Sequence, residues 1–232
     1  VAVVTGGASG IGRVVAAAFA AVGAQVAIFD LAASGADAYA VDVADEAQVT
    51  AAFARVMARY GRLDILFNNA GIAIRRPTVD LTLADWNKVV AVNMTGVFLC
   101  AREAARHMLA SGRGGRIVNT ASIMGFSGGG LYPNVSYQAT KGAVVNMTRA
   151  LAVEWASQGI RVNGIAPTWV RTPLTRSITE KPDLVHRIEQ MTPMGRLAEP
   201  QEMVGAVLFL ASRASAMVTG HTLAVDGGFL AQ

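Results

Sequence analysis

The chain has 232 residues, 53% of them hydrophobic and 16% charged, with 20 Lys and Arg against 16 Asp and Glu for a formal net charge of +4. That length suits one large domain or at most two small ones, and so apolar a chain, with a charged share below the usual ~25%, is not disordered. The basic residues are scattered singly apart from Arg75–Arg76, so no nucleic-acid partner is expected; one cysteine, Cys100, excludes an internal disulfide, and no Cys/His cluster has zinc spacing, so no metal is expected.

Val1–Thr5 is a short β-rich run, Gly6–Gly12 a glycine-rich turn, and Ile11–Ala21 has helical spacing that Gly23 can end. Gln25–Asp30 and Ala38–Val43 predict the second and third strands, Asp45–Tyr60 a helix and Leu63–Asn68 a fourth strand. A long helix over Leu83–Ser111, a strand over Gly115–Ala121, a second long helix over Ser136–Gln158 and a strand over Ile160–Ala166 follow, then a helix over Glu199–Ala211 and a last strand over Thr222–Val225. Near-continuous apolar strands alternating with helices predict an α/β fold, a doubly wound parallel sheet of about seven strands covered on both faces, in a single domain over 1–232.

The apolar stretch Val14–Phe29 is 16 residues long and broken by Gly23 and Gln25. It falls short of the about 20 residues of a membrane span and reads as helix, turn and strand, so no membrane partner is expected. No signal peptide is visible, and with the lone cysteine a reducing, cytoplasmic location is expected. Val1 already sits inside a strand pattern with no initiator Met before it, so a few preceding residues are expected to be missing. Asp30 to the third strand leaves only about 8 residues where a βαβ crossover usually takes at least about 10–12. Either this crossover is unusually short or residues are missing there, the second reading being favoured.

Thr5-Gly6-Gly7-Ala8-Ser9-Gly10-Ile11-Gly12 joins the first strand to the first helix. Its glycines let the backbone turn tightly and approach a pyrophosphate, which the helix N-terminus then faces with free N–H groups; the plainer alternative is a tight turn alone. No Gly-Lys-Ser/Thr follows, which excludes a P-loop. Asp30 ends the second strand 18 residues after Gly12, where a carboxylate binds ribose hydroxyls and repels a 2′-phosphate; the cofactor expected is NAD rather than NADP.

With these features the sequence resembles the classical short-chain dehydrogenase/reductase family. The match comprises the glycine turn at Thr5–Gly12, Asn-Asn-Ala-Gly at Asn68–Gly71, Tyr-x-x-x-Lys at Tyr137–Lys141 and the closing Val225-Asp226-Gly227-Gly228, with Asn93 and Ser122 at the other two catalytic positions. The resemblance covers essentially the whole chain and implies a Rossmann-type NAD-binding fold and a homotetramer, with a dimer as the alternative. The two long helices carry apolar residues on more than one face, which suits a subunit contact.

Hydride transfer to or from a carbon–oxygen bond needs a polarised oxygen and a group that moves a proton. Tyr137 and Lys141, four apart on a helix, share a face, and an ammonium beside a phenol is expected to lower the phenol's pKa toward the working pH. Ser122 follows the fifth strand, at the end that faces the ligand crevice, and is either a substrate-bonding hydroxyl or a turn cap. Asn93 sits inside a helix it does not favour; the resemblance implies that it holds a water linking Lys141 to solvent, the alternative being a solvent-facing side chain.

The resemblance further implies cofactor contacts at Gly6, Ser9, Gly10, Ile11 and Gly12, at Asp30, at Asp42 and Val43 by the adenine, and at Asn69, Ala70 and Gly71 by the ribose. Tyr137, Lys141, Pro167, Val170 and Thr172 complete the set, the last two at the carboxamide. Where the family usually reads Pro-Gly, this chain reads Pro167-Thr168, which narrows the wall. Residues from Thr172 to about Thr192 are expected to form a lid. Met124, Phe126, Asn134 and Trp169, with Ile72 and Ile74, are the substrate-pocket candidates. Arg75 and Arg76 either attract an acidic substrate or, as is commoner for such a pair, are surface charge.

The 15-residue spacing of Ser122 and Tyr137 and the segment Met191–Arg196 resemble the polyol and sugar branch of the family. The reading is therefore an NAD-dependent oxidoreductase interconverting a secondary alcohol and a ketone on a polyol- or sugar-like small molecule. A 3-oxoacyl thioester reductase is the alternative enzyme, and a catalytically silent NAD-binding regulatory protein the alternative outside catalysis.

Overall fold

The computed structural model describes residues 1–32 and 34–232. Seven strands, β1 (Ala2–Thr5), β2 (Val26–Asp30), β3 (Ala38–Ala40), β4 (Ile65–Asn68), β5 (Gly115–Thr120), β6 (Ile160–Pro167) and β7 (Thr222–Val225), pair in parallel in the order β3-β2-β1-β4-β5-β6-β7. Successive side chains point to opposite faces, so each strand feeds two cores. Val3, Leu66, Ile117 and Val162 join the core under α2 (Glu46–Tyr60), α4 (Gly96–Ser111) and α5 (Val135–Trp155). Val4, Phe67, Val118 and Ile165 join the core under α1 (Gly10–Ala21) and α8 (Val204–Ala211). All eight are fully buried, which is why the strands read as continuous apolar runs rather than alternating ones.

The elements follow the expected order; the helix expected over Glu199–Ala211 begins as a 3-10 turn, Pro200–Met203, before α8, and three other differences bear on the site. The helix expected over Leu83–Ser111 is α3 (Leu83–Val90), a π-helical segment over Ala91–Thr95, and then α4. The expected lid carries two helices, α6 (Arg176–Thr179) and α7 (Pro182–Met191), whose Ile178 and Ile188 are buried against Trp169 and Phe229. The third strand is shorter than Ala38–Val43, because Asp42 leaves the sheet and its Oδ1 accepts from the Ala44 N–H in a local turn.

β3 pairs only with the last three residues of β2, Ile28↔Ala38 through Asp30↔Ala40. The crossover between them includes residue 33, which lies outside the described residues, so the expectation of residues missing there is not settled by the fold. No helix among the described residues is long and apolar enough to cross a membrane.

Strand order reverses between β1 and β4, and the loops leaving the carboxyl ends of these two strands flank a crevice. Such switch points are where open α/β sheets bind ligands.

Candidate active site

The crevice is built around a tight turn. Gly6 has φ +63° and its Cα faces Ala70, whose Cα a side chain at Gly6 would meet at 2.9 Å. A side chain at Gly12 would overlap the Gly6 carbonyl oxygen, so helix α1 starts hard against the turn. Thr5, at the end of β1, fastens this turn to the loop after β4: its Oγ1 accepts from the backbone N–H groups of Asn69 (2.8 Å) and Ala70 (2.9 Å). Asn69 returns the contact, donating from Nδ2 to the carbonyls of Thr5 and Gly6 at 3.2 and 3.3 Å. Thr5 was not among the residues expected from sequence; as the polar residue ending a buried strand beside the glycines, it carried a readable signal.

A cavity of about 290 Å³ opens above this turn, lined by Gly6, Ser9, Gly10, Ile11, Asp30, Asp42, Val43, Asn69, Ala70, Gly71 and Thr172 among others. The Ser9 side chain does not cap α1 and the helix has no acidic residue in its first turn, so its initial N–H groups are free to face an anion. Asp30 is held at the rim, Oδ2 accepting from the Ala8 N–H and Oδ1 from the Ala32 N–H, both at 3.0 Å, and each oxygen keeps a lone pair for a hydroxyl donor. A glycine cradle, an uncapped helix start and a carboxylate at the rim fit a nicotinamide dinucleotide.

A second cavity, about 80 Å³, brings Ser122, Tyr137 and Lys141 together and faces Pro167, Val170 and Thr172 across it. Ser122 caps the turn Ile123–Gly125, accepting from the Met124 N–H at 3.1 Å, and also lines the cavity. Lys141 is buried, its Nζ donating to the Thr120 carbonyl at 2.6 Å, and burial pushes it down to about 8. Asn93 is fully buried in the π-helical segment, which excludes the solvent-facing alternative. Its Oδ1 accepts from the Ile72 N–H (2.8 Å) and its Nδ2 donates to the Ile72 carbonyl (2.9 Å) and Thr140 Oγ1 (3.3 Å). The Cα of Gly71 has Asn93 Oδ1 and Lys141 Nζ as its neighbours, a side chain there meeting them at 3.4 and 3.7 Å.

The phenol of Tyr137 corrects one expectation. Desolvation raises it above the ordinary value, and the downward pulls come from the Ser122 hydroxyl and the charge of Arg75. Lys141 lies 5.5 Å from the centre of the Tyr137 ring, facing its π-cloud, with its ammonium donating to Thr120. The spacing of the pair placed both groups on one face, as expected, but did not reveal that burial raises the phenol or that Ser122 and Arg75 supply the opposing pulls.

The third cavity, about 40 Å³, shares Ser122 and Tyr137 with the second and includes Met124, Asn134 and Trp169. Phe126, also expected there, is instead 44% exposed, outside the cavity. Ile72 lines the cofactor-side cavity and Ile74 none of the three. The arginine pair divides. Arg76 meets Asp85 at 3.3 Å on the surface, whereas Arg75 turns into the cavity with Ser122 and Tyr137. Both arginines follow Gly71 in the loop after β4, so the sequence alone does not say which of them turns inward.

A family model described as enoyl-(acyl carrier protein) reductase matches residues 6–230. The chain is 42% identical over 243 aligned residues to D-threitol dehydrogenase of Mycolicibacterium smegmatis, covering 99% of this chain and 92% of that protein. It is 44% identical over 246 to cis-4-hydroxycyclohexanecarboxylate dehydrogenase of Sinomonas cyclohexanicum, covering 100% and 96%. Both alignments are longer than the 232 residues here, so each relative has residues without a counterpart in this chain. Among solved structures, a putative NAD(P)-dependent gluconate 5-dehydrogenase from Beutenbergia cavernae with bound NADP superposes with a TM-score of 0.93 at 40% identity, covering 100% of this chain and 96% of that one. The chain belongs to the short-chain dehydrogenase/reductase family and is an oxidoreductase that interconverts secondary alcohols and ketones.

Proposed function

We propose that the enzyme uses NAD, that Tyr137 is its general acid/base, and that its substrate is polyol- or sugar-like. The observation that carries this reading is the meeting of Ser122, Tyr137 and Lys141 around one cavity that adjoins the glycine-lined crevice ending at Asp30. A nicotinamide cofactor bound there would supply the hydride donor or acceptor for the substrate carbon. Gly6, Ser9, Gly10, Ile11 and Gly12 hold its pyrophosphate, Asp30 its adenosine ribose, Asp42 and Val43 its adenine, and Asn69, Ala70 and Gly71 its ribose. Pro167, Val170 and Thr172 hold the nicotinamide end, together with Tyr137 and Lys141.

Ser122 donates to the substrate oxygen and orients it, and Tyr137 gives or takes the proton at that oxygen. Lys141, held near 8, exchanges protons close to neutral pH and hands them on past Gly71 to a water held by Asn93. Met124, Asn134 and Trp169 form the substrate wall. The segment from Thr172 to about Thr192 is a lid that moves to admit substrate, since Leu174 and Thr175 close the small cavity over Tyr137.

The preference for NAD rests on Asp30, whose carboxylate repels a 2′-phosphate at the rim; the NADP bound in the Beutenbergia protein marks the alternative. Fluorescence titration with NADH and NADPH tests it. Tighter binding of NADH is expected, and tighter binding of NADPH would overturn the preference for NAD. The 232 residues act as one domain, and the active form is a homotetramer. The exposed Val153 on α5 and the partly exposed Phe98 on α4 support a subunit contact on the long helices. Light scattering showing a monomer at working concentration would sink that part.

A further inference from the structure

We propose that Arg75 binds a carboxylate and that the enzyme's substrates are hydroxy acids, secondary alcohols on a chain or ring that also bears a carboxylate. This rests on the alcohol-oxidising site above and adds the chemical class that fills it. Arg75 is fixed by neutral groups. Its Nη2 donates to the Leu174 carbonyl at 3.2 Å and its Nη1 to Ser177 Oγ at 3.4 Å, and the guanidinium lies 5.5 Å from the centre of the Tyr132 ring. Tyr132 is itself anchored, its hydroxyl accepting from Trp169 Nε1 at 2.8 Å.

Among the described residues no carboxylate pairs with Arg75, although its neighbour Arg76 has Asp85, and the residues lining the cavity include no acid. Its Nε is buried without an acceptor. A partly buried guanidinium with no counter-charge is costly, and its planar fork matches a carboxylate better than any neutral group. Two more orphaned atoms belong to residues around the same cavity. Of seven buried side-chain polar atoms without a partner among the described residues, Arg75 Nε, Asn134 Oδ1 and Thr168 Oγ1 all belong to residues lining this one cavity beside Tyr137. A cation, an amide acceptor and a hydroxyl complement a carboxylate and the hydroxyls of a polyhydroxy acid. A neutral polyol satisfies Asn134 and Thr168 but leaves Arg75 uncompensated.

The test compares acids with their neutral amides, D-gluconate with D-gluconamide, D-galactonate with D-galactonamide and cis-4-hydroxycyclohexanecarboxylate with its carboxamide, alongside neutral polyols, using either cofactor. In the wild type kcat/KM is expected to favour the acid of at least one pair by about ten- to a hundredfold, mostly through KM. In Arg75→Met that ratio should collapse toward one, and in Arg75→Lys part of it should survive. Because Arg75 also steadies the lid backbone at Leu174, its loss lowers both rates together; the acid-to-amide ratio isolates the carboxylate contact. An amide oxidised as well as its acid, or a ratio unchanged in Arg75→Met, would overturn the proposal. Neutral polyols oxidised with no acid oxidised would overturn it while leaving the alcohol-oxidising reading intact. No turnover of any acid or neutral compound would overturn both.

Discussion

Replacing Lys141 by methionine is expected to abolish turnover and to stabilise the fold. Burial lowers this lysine from 10.5 to about 8. At about 1.4 kcal/mol per pKa unit, keeping it charged inside the folded chain costs about 3 kcal/mol at pH 7. Methionine removes that cost and fills much of the same volume. It also removes the hydrogen bond to the Thr120 carbonyl, about 1–2 kcal/mol. The net gain is about 1–2 kcal/mol, or a Tm increase of about 2–8 °C for a chain of this size. The pH dependence has a definite sign. Because the folded pKa lies below the unfolded one, the unfolded chain binds more protons between about pH 8 and 10.5, and wild-type stability from this group rises through that window. The advantage of Lys141→Met is therefore full at pH 7 and shrinks toward pH 10. Urea unfolding at pH 7.0 and 9.5, without cofactor and at fixed protein concentration, measures it. A variant less stable than wild type at pH 7 by 1 kcal/mol or more (about a fivefold shift in the unfolding equilibrium), or a difference that does not change with pH, would refute the reasoning.

Other substitutions probe the remaining parts of the site. Tyr137→Phe keeps the ring and loses the proton carrier, so NADH affinity should hold while turnover falls by about 10²–10⁴; near-normal turnover would remove Tyr137 from its role. Asp30→Ser removes the repulsion of a 2′-phosphate and should raise kcat/KM for NADP⁺ by about 10–10³ relative to NAD⁺, with an unchanged ratio counting against Asp30 as the determinant. Gly12→Ala places a methyl group on the Gly6 carbonyl and should abolish cofactor binding in a calorimetric titration; normal affinity there would show that the turn can relax. Cys100 is fully buried and its thiol is pushed up to about 12, so mass spectrometry should find it unmodified after brief exposure of the native protein to a thiol reagent at pH 7, and rapid labelling would contradict the packing of α4.

Much of the site was legible in the sequence because the residues concerned answer to local rules. The glycines at 6 and 12 had to be there for the backbone to fold so closely on itself, and Asp30, Asn69 and Ser122 follow strands whose carboxyl ends face the crevice by topology. What stayed hidden depends on contacts across the chain. Arg75 and Arg76 are adjacent and chemically identical, and only the positions of Leu174 and Asp85 send one inward and one outward. The π-helical segment at Ala91–Thr95 does not disturb the apolar periodicity enough to be seen, yet it accompanies the burial of Asn93. The balance on the Tyr137 phenol turns on how much water the fold removes, which spacing along a helix does not report.

The central claim is that this site oxidises a secondary alcohol with NAD⁺ through Tyr137. Initial rates of NAD⁺ and NADP⁺ reduction, across polyols, sugar acids, cyclic alcohols and 3-hydroxyacyl thioesters, test it most directly when wild type and Tyr137→Phe are run side by side. The account expects NAD⁺-linked oxidation of a polyol- or sugar-like compound that largely disappears in the variant. Faster turnover of a hydroxyacyl thioester with NADP⁺, or oxidation that Tyr137→Phe leaves intact, would contradict it.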